Sequence, residues 1–403
     1  MNETKNKNDK IFFYQGGDDI RGNDCLKSIK QKIAELSSIK NISFLLGAGA
    51  SSGAVPSMKT MYNDIDNDIT EVDGDEKVLY KSINGDNLEE ILTILHAKKH
   101  YLQGIEKADS KADSKEKSNV ESLINRIENL MYSKINIDLS SEKTTKSLDL
   151  YKQFYQKTAL RNKDLSRVNI FTTNNDLFNE KALDTLNINY NNGFGGGLER
   201  VFNPARFHYT FSKKIDANLE KFEPLENMVY LYKLHGSISW IEQEGNSLFN
   251  IHEIPVTGGE GNNKENHVLI YPTPLKQAQS LGTPYADLIR EFQTKLSLPN
   301  SVIFIIGYSF SDEHLNNIIY QALASNSSIS VVIFGEYKDC PLAKIKDSRI
   351  YRIFGTVQET NKIHYFEYIV TELLPNVDKN VDTTLLDDFV SSLNKALKRD
   401  DTA

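Results

Sequence analysis

Three short apolar runs that break abruptly into polar residues constrain the fold of this chain more than any other feature. Val168, Ile170 and Phe171 lead into Thr172-Thr173-Asn174-Asn175-Asp176. Ile42-Ser43-Phe44-Leu45-Leu46 leads into Gly47-Ala48-Gly49-Ala50-Ser51, and Tyr230-Leu231-Tyr232-Lys233-Leu234 into His235-Gly236-Ser237. A strand buried on both faces of a parallel sheet reads as a near-continuous apolar run and delivers polar side chains to the crevice at its carboxyl end. Three such strand ends predict one site, built around Asn174.

The rest of the chain is consistent with such a sheet. Further strand-like runs occur at 268–271, 302–306 and 329–334, and between the last two Leu315, Ile318, Ile319, Ala322 and Leu323 make 313–325 an amphipathic helix. Strands alternating with helices indicate right-handed βαβ units. Asp24 is placed to cap a first helix carrying Leu26, Ile29, Ile33 and Leu36. Two helices are expected near the C-terminus, 365–374 closed by Pro375 and 385–397. Between the first two core strands the pattern turns helical. Leu88, Ile91, Leu92 and Leu95 form one stripe behind an Asn87 cap, residues 120–131 a second, and Leu148, Tyr151, Phe154 and Tyr155 a third. Lys107 to Lys115 is a tandem repeat without an apolar face, a solvated loop or helix extension. The Asn/Gly-rich stretch 189–204 reads as a loop. The expected fold is therefore α/β: a Rossmann-like parallel sheet over 23–86 and 162–375, a helical subdomain inserted at 87–161, a peripheral N-terminal arm at 1–22, and a C-terminal helix and tail at 376–403.

With 403 residues the chain exceeds the roughly 250–300 at which single cores divide. A net charge of -8 argues against a surface that is wholly a nucleic-acid cradle, and leaves a local basic patch open. No run approaches the ~20 apolar residues of a membrane span. The polar, Lys-rich start is no secretory signal. Cys25 and Cys340 cannot supply a four-thiolate zinc site. A reducing, cytoplasmic setting is expected.

Each candidate site residue has a plainer reading beside the chemical one. Asn174 is either a turn former or an amide that holds a water or a sugar hydroxyl without titrating. Asp176 either binds a polar ligand group such as a carboxamide or caps the next helix. His235, before a glycine at a strand end, is a general base or a hydrogen-bonded structural histidine. The glycines of 47–53 let backbone amides approach a phosphate, with a helix starting there adding its positive dipole end, or they serve packing alone. Asp312 reads as a helix cap, and Ser309 as a cap neighbour or a contact to a nucleotide. Tyr308, Phe310 and Trp240 read as core, with Trp240 also near enough to His235 to wall a pocket. His96 and His100 share a helix face but lack a third ligand. A Walker A loop and a nucleophile elbow are both missing from the sequence.

Taken in order, Gly47-Ala48-Gly49-Ala50-Ser51, Thr172-Thr173-Asn174-Asn175-Asp176, Leu234-His235-Gly236-Ser237 and Ile306-Gly307-Tyr308-Ser309 resemble the sirtuin motifs over about residues 40–335, the helical insert excluded. Tyr271-Pro272-Thr273-Pro274, Pro284-Tyr285 and the run from Gly307 to Asn316 look like the bacterial anti-phage defence branch of sirtuin-like proteins. In size and architecture the chain is most similar to the sirtuin-like subunit that works with a HerA-type ATPase. It departs from protein-deacylating sirtuins in lacking the four-cysteine zinc module, and in reading Ser57-Met58-Lys59 after Pro56 where they carry Asp-Phe-Arg.

The resemblance implies that Gly47, Ala48, Gly49 and Ser51 cradle the pyrophosphate of NAD, with Ser309 near the adenosine side. Thr173 belongs to the same cofactor-binding set. Asn174 positions water or ribose, Asp176 engages the nicotinamide carboxamide, and His235 contacts ribose hydroxyls as a base. It implies an NAD glycohydrolase that depletes NAD+, with NAD+ as substrate and no metal. It also implies a homo-oligomer with a hexameric HerA-type ATPase partner, contact with DNA through that partner, and no membrane. A non-catalytic NAD- or ADP-ribose-binding scaffold and a zinc-free deacylase are the alternatives.

Overall fold

The structure is a computed structural model that describes residues 10–376 apart from 23, 72–73, 84, 86, 109–113, 217–219, 244–249, 257–266, 270–283 and 338–339. The strands, in chain order, begin with β1 (Lys10–Gln15), β2 (Asp18–Asp19), β3 (Asn41–Leu46), β4 (Val168–Thr172), β5 (Asn189–Asn191) and β6 (Phe194–Gly195). Then come β7 (Arg200–Phe202), β8 (Ser212–Lys214), β9 (Phe222–Pro224), β10 (Met228–Lys233), β11 (Gly236–Glu242) and β12 (Ile251–Glu253). The last are β13 (His267–Leu269), β14 (Ser301–Ile306), β15 (Ile329–Phe334), β16 (Ile350–Val357) and β17 (Asn361–Lys362). The main sheet runs β2-β1-β16-β15-β14-β3-β4-β10-β5, with β17 on β16. From β16 to β5 every neighbouring pair is parallel. The expected α/β fold with a Rossmann-like parallel sheet is the fold found.

Each residue of β3, β4 and β14 is buried, as the continuous apolar runs require of strands covered on both faces. Alternate side chains feed two cores. Phe44, Leu46, Ile170, Phe304 and Ile306 pack with Phe154 and Tyr155 on one side; Leu45, Phe171, Ile303 and Ile305 pack with Leu288, Phe292 and Ile319 on the other. The chain leaves β3 toward β4 and β10 on one side, then returns to β3's other side through β14, β15 and β16. β3 is thus the topological switch point, and in open α/β sheets the crevice forms outside the carboxyl ends of the strands there.

Several elements differ from the sequence expectation. The peripheral arm contributes strands: β1 pairs antiparallel with β16, burying Ile11 and Phe13. Ile11-Phe12-Phe13-Tyr14 is a short apolar run behind a polar start, and a strand next to the sheet's edge needs only one buried face. The run at 268–271 is not a core strand; β13 pairs antiparallel with β11 in a second sheet, β13-β11-β12-β7-β6, and Tyr271 lies outside the described residues. The stretch 189–204 carries β5, β6 and β7 between its turns. The helix expected at 365–374 is one short α-turn, Phe366–Tyr368, running into a π-turn, Ile369–Leu373. Residues 385–397 and the motif 271–274 lie outside the described residues, as does the centre of the 107–115 repeat.

The inserted helices form their own core. Met58–Glu71, Asp75–Ser82, Leu88–Ala108 and Ser114–Ile135 bury Met61, Ile65, Tyr80, Leu92, Leu123 and Ile127 together. This cluster begins some thirty residues ahead of the expected boundary at 87. The third expected stripe, on helix Glu142–Thr158, packs on the sheet instead. Two caps are as the sequence indicates: Asp24 Oδ1 accepts from Lys27 N at 3.0 Å, and Asn87 Oδ1 from Glu90 N at 3.0 Å.

Candidate active site at the carboxyl ends of the strands

A cleft of about 600 Å³ opens at the switch point. Its polar wall consists of the segments leaving four neighbouring strands: Ala48 and Ser51 after β3, Thr173 to Asp176 after β4, His235 after β10, and Gly307 to Ser309 with Ser311 and Asp312 after β14. The opposite, mostly apolar wall comes from the inserted helices and the segment leading into them, through Val55, Met58, Met61, Tyr62, Leu88 and Ile135, with Lys59, Asn63 and Asn87 as its polar members. The volume lies in the range of small-molecule sites, which combine apolar lining with a few placed polar groups.

The turn after β3 is held by backbone contacts. Gly47 N donates to Ile306 O and Gly49 N to Gly307 O, both at 2.9 Å. Ala50 N and Ser51 N donate back to Gly47 O and Ala48 O, closing one 3₁₀ turn over Ala48–Ala50 rather than starting an α-helix. A Cβ on Gly49 would lie 2.6 Å from Gly307 Cα, and one on Gly307, at φ +64°, 2.7 Å from Ala50 N. The glycines therefore let two strand-end turns touch backbone to backbone. This corrects the amide-cradle expectation. Gly47 and Gly49 do not border the cleft, and the amides of Gly47, Gly49 and Ser51 are engaged within the chain; Ala48 and Ser51 border it.

Asn174 is the centre of the polar wall. Its backbone N–H donates to Thr172 Oγ1 at 3.0 Å, and that hydroxyl donates to Leu46 O. Its side-chain amide donates to Ser51 Oγ at 3.1 Å, and Ser51 Oγ lies 2.8 Å from the Tyr151 hydroxyl. Tyr151 is stacked on Phe178 with ring centroids 5.4 Å apart, so the chain of hydroxyls ends on a rigid, fully buried ring. Asn175 also borders the cleft, and its side-chain amide donates to the carbonyl of His235 at 2.7 Å, tying the β4 end to the β10 end.

Asp176 stands at the foot of helix Phe178–Thr185, just ahead of its N-cap Leu177. It borders the cleft, and its Oδ1 accepts from Phe178 N at 3.2 Å. Burial raises its carboxyl above the ordinary range, while Lys233 and the Ser51 hydroxyl pull it back. His235 Nε2 lies 3.1 Å from Asp312 Oδ2, while Asp312 Oδ1 caps helix Glu313–Ser325 by accepting from His314 N and Leu315 N. One carboxylate thus caps a helix and orients the imidazole, which fixes a ring that could serve as a base. Ser309 borders the cleft with its hydroxyl 2.9 Å from that of Ser311.

Of the sequence candidates, Ala48, Ser51, Thr173, Asn174, Asp176, His235 and Ser309 converge on the cleft. Trp240 is core, packed on Phe194 at 5.0 Å between centroids. His96 faces Glu128 at 3.4 Å, and among the described residues no group of three or more His, Cys, Asp or Glu is placed to hold a metal ion. Sequence reasoning missed the apolar wall, Tyr151, the His235–Asp312 pair and the buried Lys233. Only Lys233 left a signal, a charge inside an apolar strand.

A family model described as a SIR2-like domain matches residues 168–351. The match spans Asn174, Asp176, His235, Ser309 and Asp312, and leaves the turn after β3 outside. No curated protein sequence matches the chain. Among solved structures, a mutant Sir2 homologue in complex with ADP-ribose aligns at TM-score 0.39 and 13% identity over 88% of this chain and 98% of that one. A Sir2 homologue–NAD complex aligns at TM-score 0.37 and 12% identity over 86% of this chain and 92% of that one. Likeness this distant says nothing of chemistry. No helix among the described residues is long and apolar enough to cross a membrane.

Proposed function

We propose that the cleft binds NAD+ and hydrolyses it to nicotinamide and ADP-ribose. The observation that carries this reading is the convergence of Ser51, Asn174, Asp176, His235 and Ser309 on one cleft at the switch point, within or beside the SIR2-like match. Cleavage of the nicotinamide–ribose bond passes through an electron-poor, oxocarbenium-like sugar, and nicotinamide departs as a neutral molecule. Such a reaction needs a placed water and electrostatic complementarity more than a strong acid. Asn174, with its amide oriented by Ser51, places water or ribose. Asp176 meets the carboxamide. His235, held by Asp312, accepts a proton from a hydroxyl or from the attacking water. Ser309 supplies a hydroxyl to the adenosine side, while Ser51, its hydroxyl engaged with Asn174 and Tyr151, holds the polar wall in place.

The motif resemblance extends the proposal to an effector of anti-phage defence that depletes NAD+. A HerA-type ATPase would gate it, DNA would be reached through that partner, and the chain would act as a homo-oligomer. Uncontrolled turnover would kill the host, which is the reason to expect a gate.

The deciding experiment incubates the protein, alone and with its ATPase partner, with NAD+ and measures nicotinamide and ADP-ribose. Asn174→Ala and His235→Ala should each lower release by about a hundredfold or more. Full activity in both variants overturns the site assignment. Saturable binding with the nucleotide left intact would make the chain a binding subunit instead.

A further inference from the structure

Lys233 is the last residue of β10, its side chain is 1% exposed, and every other residue of that strand is apolar or aromatic. It does not border the cleft. Its ammonium donates to the carbonyl of Asn175 at 3.3 Å and to that of Asp176, the two residues that follow Asn174. Glu180, in the first turn of helix Phe178–Thr185, is its counter-ion at 2.9 Å and is itself 10% exposed at the side chain. Asp176 and Glu253 also feel its charge.

Burying an ammonium is unfavourable even when it is paired, and an apolar side chain at this position would ordinarily serve the core as well or better. What an apolar side chain could not do is hold two consecutive carbonyls of the turn leaving β4. In that turn the chain stops pairing as a strand, so its peptide groups need partners from elsewhere. The carbonyl of Asn175 also accepts from Ile238 N at 3.2 Å, and Lys233 reaches both carbonyls, while Ser51 and Thr172 hold Asn174.

We propose that Lys233, neutralised by Glu180, is a positioning residue that sets the height and orientation of the Asn174–Asp176 turn in the cleft. The proposal rests on the hydrolase reading for its activity test and on geometry alone for its structural test. A positioned group displaced by about 1 Å can cost about a hundredfold in rate.

Lys233→Met alone would strand the Glu180 carboxylate, so the informative variants change both. Lys233→Met with Glu180→Gln removes both charges. Lys233→Gln with Glu180→Gln removes them but keeps one donor for a turn carbonyl. Both should fold, with thermal midpoints within a few degrees of wild type. The methionine variant should lose about a hundredfold in kcat with little change in KM. Amide hydrogen exchange at 174–178 should be faster, and the glutamine variant should recover at least several-fold of the lost kcat. A folded methionine variant with kcat within twofold of wild type, or with unchanged exchange at 174–178, overturns the proposal. If the wild type leaves NAD+ intact, the hydrolase reading fails, and the exchange comparison still decides what Lys233 does.

Discussion

At the scale of single residues, Asp312 shows how one side chain can be read correctly and incompletely at once. Its capping role is local and visible in the sequence; its contact with His235 joins residues 77 positions apart. The two roles separate by substitution. Asn caps about as well as Asp, so Asp312→Asn should change stability by only a few tenths of a kcal/mol. It should lower NAD+ turnover about tenfold by replacing the carboxylate that orients the imidazole. Asp312→Ala should lose turnover as well and about 1 kcal/mol of stability, measured by urea denaturation.

Glu253 gives a second residue-scale prediction. It pairs with Arg200 at 3.0 Å and accepts from Asn192 at 2.8 Å, yet burial pushes its carboxyl up to about 7. The folded state therefore keeps a proton that the unfolded chain has released. This contribution to stability is fully present below about pH 4.5 and is lost as pH rises through about 7. The wild type should lose on the order of 3 kcal/mol across that window from this group. Glu253→Gln should flatten that part of the profile in denaturation curves taken between pH 4 and 8.

At the scale of elements, the turns after β3 and β14 behave as one unit. Gly47, Gly49 and Gly307 are close-packed backbone, with amide–carbonyl bonds passing from the first turn to the second. Gly49→Ala and Gly307→Ala should each destabilise the fold by about 2–4 kcal/mol, the second adding left-handed strain to the clash. Both should weaken nucleotide binding by shifting Ala48 and Ser309 together. If either variant denatures at the wild-type midpoint, the turns are not packed as described. The glycine run was visible in the sequence as a candidate phosphate cradle, and the turn at Gly307, some 260 residues later, as a separate motif; their contact was not. Only the pairing of β3 with β14 shows why the glycines are needed.

At the scale of the molecule, the cleft has walls of different origin, one of strand ends and one from the inserted helices. A ligand that fills it should stabilise both. ADP-ribose at a hundredfold its dissociation constant should add about 2.7 kcal/mol to the unfolding free energy. Hydrogen exchange should slow both at 58–63 and at 173–176. Protection confined to the strand ends would show that the apolar wall takes no part.

Much of this arrangement was legible in the sequence because it rests on local rules. A strand buried on both faces must be apolar, and a polar break at its end must face a crevice. That reasoning alone placed Asn174, Asp176 and His235 together. The tertiary structure decided what depends on long-range neighbours. Leu88 read as helix core, and Met61 and Ile135 were not singled out, until the fold turned part of that face toward the strand ends. Tyr151 read as one stripe residue among others until it met Ser51. Lys233 is a charge in an apolar strand that the sequence reading passed over, and its use became clear only when β10 lay beside β4, within reach of the carbonyls of Asn175 and Asp176. Hydrophobic periodicity is fixed by adjacent residues, so the sequence carries it openly. The pairing of buried charges, and the wall that faces a site, are fixed by which elements become neighbours, and only the folded chain decides that.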